Sequence, residues 1–133
     1  MEITFLDLNA VLQLHAEQIR LFGGDAALRD EGLLQSAIAQ PQAAFGGQFL
    51  HEFPHGMAAA YLFHIAANHP FVDGNKRTAF ASSLAFLKLN GFKLGAPHDE
   101  SYQMVLSVAK GEMQKSAVAE FIQTHSRADS SHR

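Results

Sequence analysis

His69-Pro70-Phe71-Val72-Asp73-Gly74-Asn75-Lys76-Arg77-Thr78 places an imidazole, a carboxylate, a glycine turn, an amide and two cations within ten residues. Apolar, helix-patterned sequence flanks it on both sides. Before it, Ala58, Tyr61, Leu62, Ile65 and Ala66 recur at helical spacing as far as His69, where Pro70 breaks the pattern. After it, Phe80, Ala81, Leu84, Ala85, Leu87 and Lys88 run to Asn90-Gly91, a C-terminal stop signal, and Asp73 and Asn75 are both able to cap the start. The small residues Ala79, Ala81, Ser82, Ser83 and Ala85 let neighbours pack closely all round, so this helix is expected to be central and largely buried. The stretch is therefore a junction between two apolar helices.

Outward from that junction the helical reading continues. Leu8, Val11, Leu12, His15, Ile19 and Phe22 form an apolar stripe, capped by Asp7 or Asn9 and ended by Gly23-Gly24. His15 lies on the stripe and reads as a packed, hydrogen-bonded core histidine. Asp30 caps a short helix with Leu33, Leu34, Ala37 and Ile38, which Pro41 stops. A helix opened by Asp99 carries Tyr102, Val105, Leu106 and Ala109 and closes at Gly111. A last one, capped by Ser116, carries Val118, Phe121, Ile122 and His125. No strand is expected. The reading is an all-α, single compact domain of about six helices over residues 1–125, with 126–133 a polar tail expected to lack structure.

Residues 42–55 have neither period. Phe45, Phe49 and Phe53 beside Gly46-Gly47 suit either a flap over a site or three aromatics tucked into the core. Within this loop His51-Glu52-Phe53-Pro54-His55 spells the H-E-x-x-H pattern of zinc proteases. That pattern works only on a helix, and Pro54 opposes one, so the metalloprotease reading is set aside. His64, on the flank of its helix, reads as structural.

Bulk properties narrow the function classes. A chain of 133 residues with 47% hydrophobic and 17% charged residues is an ordinary globular domain with room for a core. A net charge of −3 gives no reason to expect direct nucleic-acid binding. The absence of cysteine removes disulfides and thiolate chemistry. With no apolar run of membrane-spanning length and no leader pattern, no membrane association and a cytoplasmic location are expected.

The junction itself suits a phosphorylated ligand. A helix start leaves about four backbone N–H groups unpaired at the positive end of the dipole, which is an anion site in its own right. Gly74 removes a β-carbon where a ligand would approach, and Asn75 can orient the turn or donate to an oxygen. Lys76 and Arg77 add a flexible point charge and a fork matched to phosphate. Asp73 is a carboxylate placed to hold Mg²⁺ beside phosphates. His69 carries an imidazole, the side-chain type suited to taking a proton from a hydroxyl. The G-x-x-x-x-G-K-[ST] spacing of a P-loop is missing.

His69 through Arg77 resembles the H-x-F-x-[DE]-[AG]-N-[GK]-R signature of the Fic/Doc family, and the Doc (death-on-curing) branch most of all. Leu28-Arg29-Asp30-Glu31-Gly32-Leu33-Leu34 and Ala39-Gln40-Pro41-Gln42 are similar to the Doc N-terminal region, so the likeness spans most of residues 5–125. The resemblance implies a toxin of a toxin–antitoxin module with ATP and Mg²⁺ as cofactors. His69 would be the general base, Asp73 the metal ligand, Gly74, Asn75, Lys76 and Arg77 the phosphate-binding set, and Phe71 a structural anchor. Fic adenylyltransferases carry glycine where this chain has Lys76, whereas Doc proteins resemble this chain and act as kinases towards elongation factor Tu. Transfer of the γ-phosphate to a protein hydroxyl is therefore the expected chemistry. Adenylyl transfer, and a non-catalytic binding module on the same fold, are the alternatives. Ser116 to Glu120 falls short of an inhibitory [ST]-x-x-x-E-[GN] helix because Phe121 follows. Control is thus expected from a small antitoxin whose C-terminal segment lies in a groove.

Overall fold

The computed structural model describes residues 2–129. Six α-helices carry the fold: α1 (Leu8–Phe22), α2 (Glu31–Ala39), α3 (His55–Asn68), α4 (Asn75–Leu89), α5 (His98–Ala109) and α6 (Lys115–His125). The caps act where sequence places them for α1 and α2: Asp7 accepts from Ala10 N–H at 2.9 Å and Asp30 from Leu33 N–H at 3.0 Å. Gly23, at φ 81°, ends α1. A 3₁₀ turn at Gln40–Gln42 follows α2.

As expected of a central helix, α4 packs against α1, α3 and α5. Behind it α3 is buried more deeply, with nine of its 14 residues inside. Ala58, Ala59 and Ala60 carry no bulk, so α4 and α6 come close to either side of α3. Tyr61 and Phe86 fill the centre, with ring centroids 5.3 Å apart. The Tyr61 hydroxyl accepts from Leu6 N–H at 2.8 Å and donates to Leu6 O at 3.2 Å, which binds the extended lead-in to the core.

Four short strands correct the expectation of none. β1 (Ala44–Phe45) and β2 (Gln48–Phe49) form a hairpin, and β3 (Phe92–Leu94) pairs antiparallel with β4 (Ser126–Ala128). Gly46 and Gly47 turn the hairpin with φ of 60° and 82°, the left-handed pair that a two-residue loop requires. β4 also corrects the unstructured tail over its own residues. Its ladder bonds to β3 are continued by Gly95 N–H to His125 O and Asp129 N–H to Gly91 O, both 2.8 Å. Residues 130–133 lie outside the described residues.

The loop divides the two expectations held for its aromatics. Phe53 packs edge-on to Phe86 and Phe92, Phe49 is half exposed against Phe5, and Phe45 stays 82% exposed. Phe86 lies eleven residues beyond Asn75, ~16 Å along the helix axis. These contacts therefore hold the loop at the far end of α4, away from the junction. Residues 51–54 are irregular and α3 starts at His55, so the two histidines of the H-E-x-x-H string do not share a helical turn.

The α3–α6 packing contains a titrating group. Lys115 Nζ donates to His64 Nε2 at 3.1 Å, which leaves the imidazole proton on Nδ1. Burial, then the Lys115 charge and His51, push His64 down to about 4, from 6.5 when unperturbed. Burial and Lys115 lower His51 as well. The unfolded chain thus takes up protons first, so this stabilisation is complete above about pH 6.5 and is lost as pH falls towards about 4. The expected result is a urea midpoint that drops between pH 7 and pH 5, and drops less in His64→Gln. An equal drop in that variant contradicts the assignment.

Candidate active site

The α3–α4 junction is built by competition for backbone groups. Asn68 ends α3 and His69 caps it in the left-handed conformation, φ 47° and ψ 56°. The chain then runs antiparallel to residues 27–30. Val72 N–H reaches Ala27 O at 3.0 Å, Leu28 bridges Phe71, and Pro70 O accepts from Arg29 and Asp30 N–H at 2.8 and 3.0 Å. Phe71 turns inward, 1% exposed, and stacks on the His15 ring at 3.7 Å.

His15 is the buried, hydrogen-bonded histidine that its position on the stripe implies. Its Nε2 lies 2.8 Å from Asp73 O, and since a carbonyl only accepts, that nitrogen carries the hydrogen. Asn75 closes the loop from the other side. Its Oδ1 accepts from Phe71 N–H at 2.9 Å and its Nδ2 donates to Phe71 O at 2.8 Å. Of the two tasks open to this amide, orienting the turn is the one the geometry displays.

Neither expected residue caps α4. Gly74 occupies the cap position at φ 81°, with no side-chain bond to the helix start. The Asp73 carboxylate is drawn away, its Oδ2 accepting from Asp25 N–H at 2.8 Å, and the Asn75 amide is held by Phe71. The first intrahelical bond runs from Thr78 N–H to Gly74 O, so the N–H groups of Asn75, Lys76 and Arg77 precede the ladder. The start of α4 keeps its first-turn N–H groups free of a side-chain cap because both candidate caps are occupied elsewhere.

Gly74 also has a packing role. A β-carbon there would lie 3.2 Å from Ile19 Cδ1 and 3.5 Å from the His15 ring. The glycine serves close packing on α1 as well as a positive φ. Gly24 does the same for Asp73, since its β-carbon would come within 3.1 Å of Asp73 Cβ.

The cations differ in freedom. Arg77 donates from Nη2 to Gly23 O at 3.1 Å and lies 5.2 Å from the Phe22 ring centroid, so it is anchored to the end of α1. Lys76 is exposed and bound to nothing among the described residues. Gly74, Asn75, Lys76 and Arg77 together line one end of a groove of about 710 Å³ between α1, α4 and α5. His69 and Asp73 do not line it. His69 and Asp73 are exposed on the remainder of the junction, so the groove adjoins the candidate site without containing it. His15 as a support of Asp73, Asp25, and Arg29 were not assigned site roles by sequence. Arg29 does lie in the quoted Leu28–Leu34 segment, which was the available signal.

Comparison with known proteins agrees with this architecture. Residues 5–87 match the model of the Fic/DOC family. The toxin Doc of Mycolicibacterium smegmatis (strain ATCC 700084 / mc(2)155) is 47% identical over 78 residues, 59% of this chain and 60% of that relative's length. The protein kinase doc of Escherichia phage P1 is 32% identical over 110 residues, 83% of this chain and 86% of the relative. The family match covers the caps, the strap at residues 23–30 and the whole junction, and the phage relative extends it over most of the chain. On these grounds the chain belongs to the Fic/DOC family.

Proposed function

We propose that this chain is a Doc-like toxin that transfers the γ-phosphate of ATP to a hydroxyl of a protein target and so blocks translation. Its resemblance implies elongation factor Tu as the target. The observation that carries the reading is Lys76, a free cation on an uncapped helix start, where adenylyltransferases of this family have glycine. The names toxin and protein kinase carried by the two relatives support it.

In this reading each group has one task. The first-turn N–H groups of α4, with Lys76 and Arg77, bind phosphate oxygens. The His69 imidazole takes the proton of the acceptor hydroxyl. The acceptor oxygen forms its bond to the γ-phosphorus, the bond from phosphorus to the bridging oxygen breaks, and ADP leaves. Asp73 fits Mg²⁺, because its Oδ2 is fixed by Asp25 N–H while Oδ1 makes no hydrogen bond among the described residues. A cation held there would be shared between this one carboxylate and the substrate phosphates. Mg²⁺ would supply charge neutralisation on those phosphates.

The test is the small product released on incubation with ATP and elongation factor Tu. Phosphoryl transfer leaves ADP, whereas adenylyl transfer leaves pyrophosphate. ADP formation that depends on the target is expected, and pyrophosphate would overturn the proposal. Lys76→Gly is expected to lower ADP formation by about tenfold or more, the loss of one charge-assisted contact of 1.5–3 kcal/mol. Unchanged ADP formation in that variant removes Lys76 as the determinant.

The groove suits the antitoxin segment expected for this branch. Leu21, Phe22, Phe80, Leu84, Tyr102 and Leu106 make it apolar, and Lys76 and Arg77 make one end basic. An amphipathic helix with an acidic residue at that end matches it, and would cover the phosphate-binding turn while bound. Leu84→Asp is expected to weaken antitoxin binding at least tenfold while leaving ADP formation intact, since a central apolar contact in such a groove is worth about 2 kcal/mol. Binding at wild-type strength would place the antitoxin elsewhere.

A further inference from the structure

His69 holds a backbone conformation that its neighbours oppose. Among the described residues it is the one non-glycine with a positive φ, 47°. Left-handed backbone costs about 1–2 kcal/mol in a residue with a β-carbon. Pro70 adds to this by favouring extended backbone in the residue before it. The imidazole is exposed, so its own packing does not hold the conformation.

What holds it comes from the strap between α1 and α2. Arg29 Nε donates to His69 O at 2.7 Å and Arg29 Nη2 to Asn68 O at 2.9 Å. The Arg29 backbone N–H takes the next carbonyl, Pro70 O, at 2.8 Å. Three successive carbonyls across the junction thus accept from one residue. Asn68 is tied back in turn, its Nδ2 donating to Leu33 O at 3.0 Å. A guanidinium presents two parallel donors on one edge and can grip two adjacent oxygens, which a lysine ammonium cannot reproduce. Its charge also suits the negative end of the α3 dipole.

We infer that Arg29 is a positioning residue for His69: its fork on the last two carbonyls of the α3 cap holds His69 left-handed and so sets where the imidazole points. The inference rests on the reading of His69 as the proton acceptor. Without the fork, Pro70 draws His69 towards extended backbone and the imidazole swings away from the Asp73–Arg77 turn. Arg29 is exposed, so its removal disturbs this local geometry more than the core.

The test compares wild type, Arg29→Ala and Arg29→Lys by the HN–Hα coupling and backbone chemical shifts of His69, alongside kcat and KM for ATP. Arg29→Ala is expected to move the His69 signals towards extended values and to lower kcat about 10–100-fold with KM unchanged, the scale of an ångström-sized misplacement. Arg29→Lys should fall between. Methylguanidinium should restore part of kcat in Arg29→Ala and none in His69→Ala. Unchanged His69 signals in Arg29→Ala overturn the inference, as do moved signals with wild-type kcat. If wild type transfers no phosphate, the proposed function falls, while the His69 signals still decide the role of Arg29. If Arg29→Ala does not fold, the same measurements on Arg29→Lys decide it.

Discussion

His69→Ala is expected to lower phosphoryl transfer by about 10²–10⁴-fold, the usual contribution of a positioned general base. The variant should remain folded. His69 is exposed, and its contacts to the rest of the chain run through its backbone: N–H to Ile65 O at 3.3 Å, and O to Arg29 Nε at 2.7 Å. Alanine keeps both. It keeps the left-handed strain as well, so the thermal midpoint should shift little. Because phosphate binding is assigned to the start of α4, KM for ATP should be close to wild type, and the loss should fall on kcat. The check is γ-phosphate transfer at saturating ATP together with a thermal melt. Transfer within about threefold of wild type, on a folded protein, would exclude His69 as the base, since removing any positioned base costs far more.

Phe71→Ala is the second large effect, and here stability is lost first. The ring is 1% exposed and stacked at 3.7 Å on His15, whose Nε2 in turn holds Asp73 O. Truncating a buried phenylalanine typically costs about 3–5 kcal/mol. For a chain of this size that is a fall of order 10 °C in melting temperature. Phe71→Leu, which keeps most of the volume, should cost less than about 1.5 kcal/mol. Urea unfolding with tryptophan-independent detection, such as far-ultraviolet circular dichroism, measures both, because the chain has no tryptophan. A loss below about 1 kcal/mol for the alanine variant would mean that the core does not depend on the ring.

The fold was legible in sequence where a single local signal dominated. The apolar stripes gave six helices; the Asp7 and Asp30 carboxylates cap theirs because each accepts from its own helix start, and Gly23 and Gly111 follow theirs at positive φ. Asp73 and Asn75 were read as caps of α4 by the same rule and are not. A carboxylate or amide caps a helix only if nothing else claims it, and Asp25 N–H and the Phe71 peptide groups do. Those partners are 48 and four residues away, and the first is beyond any local pattern. Gly46-Gly47 was a readable turn signal that two-residue strands were too short to support by alternation. β4 pairs with a strand more than thirty residues earlier, and nothing in Ser126–Ala128 itself announces that partner.

The candidate site divides the same way. The motif marked the helix start proposed for phosphate, since a run of first-turn N–H groups needs no distant partner to be read. It did not show what makes the turn rigid. His15 was recognisable as a core histidine, but its role in holding Asp73 follows only from the α1–α4 packing. Gly74 has a second task that no local pattern announces: it makes room for Ile19 and His15. Arg29 reaches across forty residues to His69, a pairing that depends on the strap running antiparallel to the junction.

The central claim, transfer of the γ-phosphate from an Asp73–Arg77 turn with His69 as base, is tested most directly by parallel incubations with ATP labelled at the α- or the γ-position. The purified chain, Mg²⁺ and elongation factor Tu are combined and the label on protein is counted. Label from the γ-position alone, absent in His69→Ala, is the result the account predicts. Label from the α-position, or none from either position with folded protein, would contradict it.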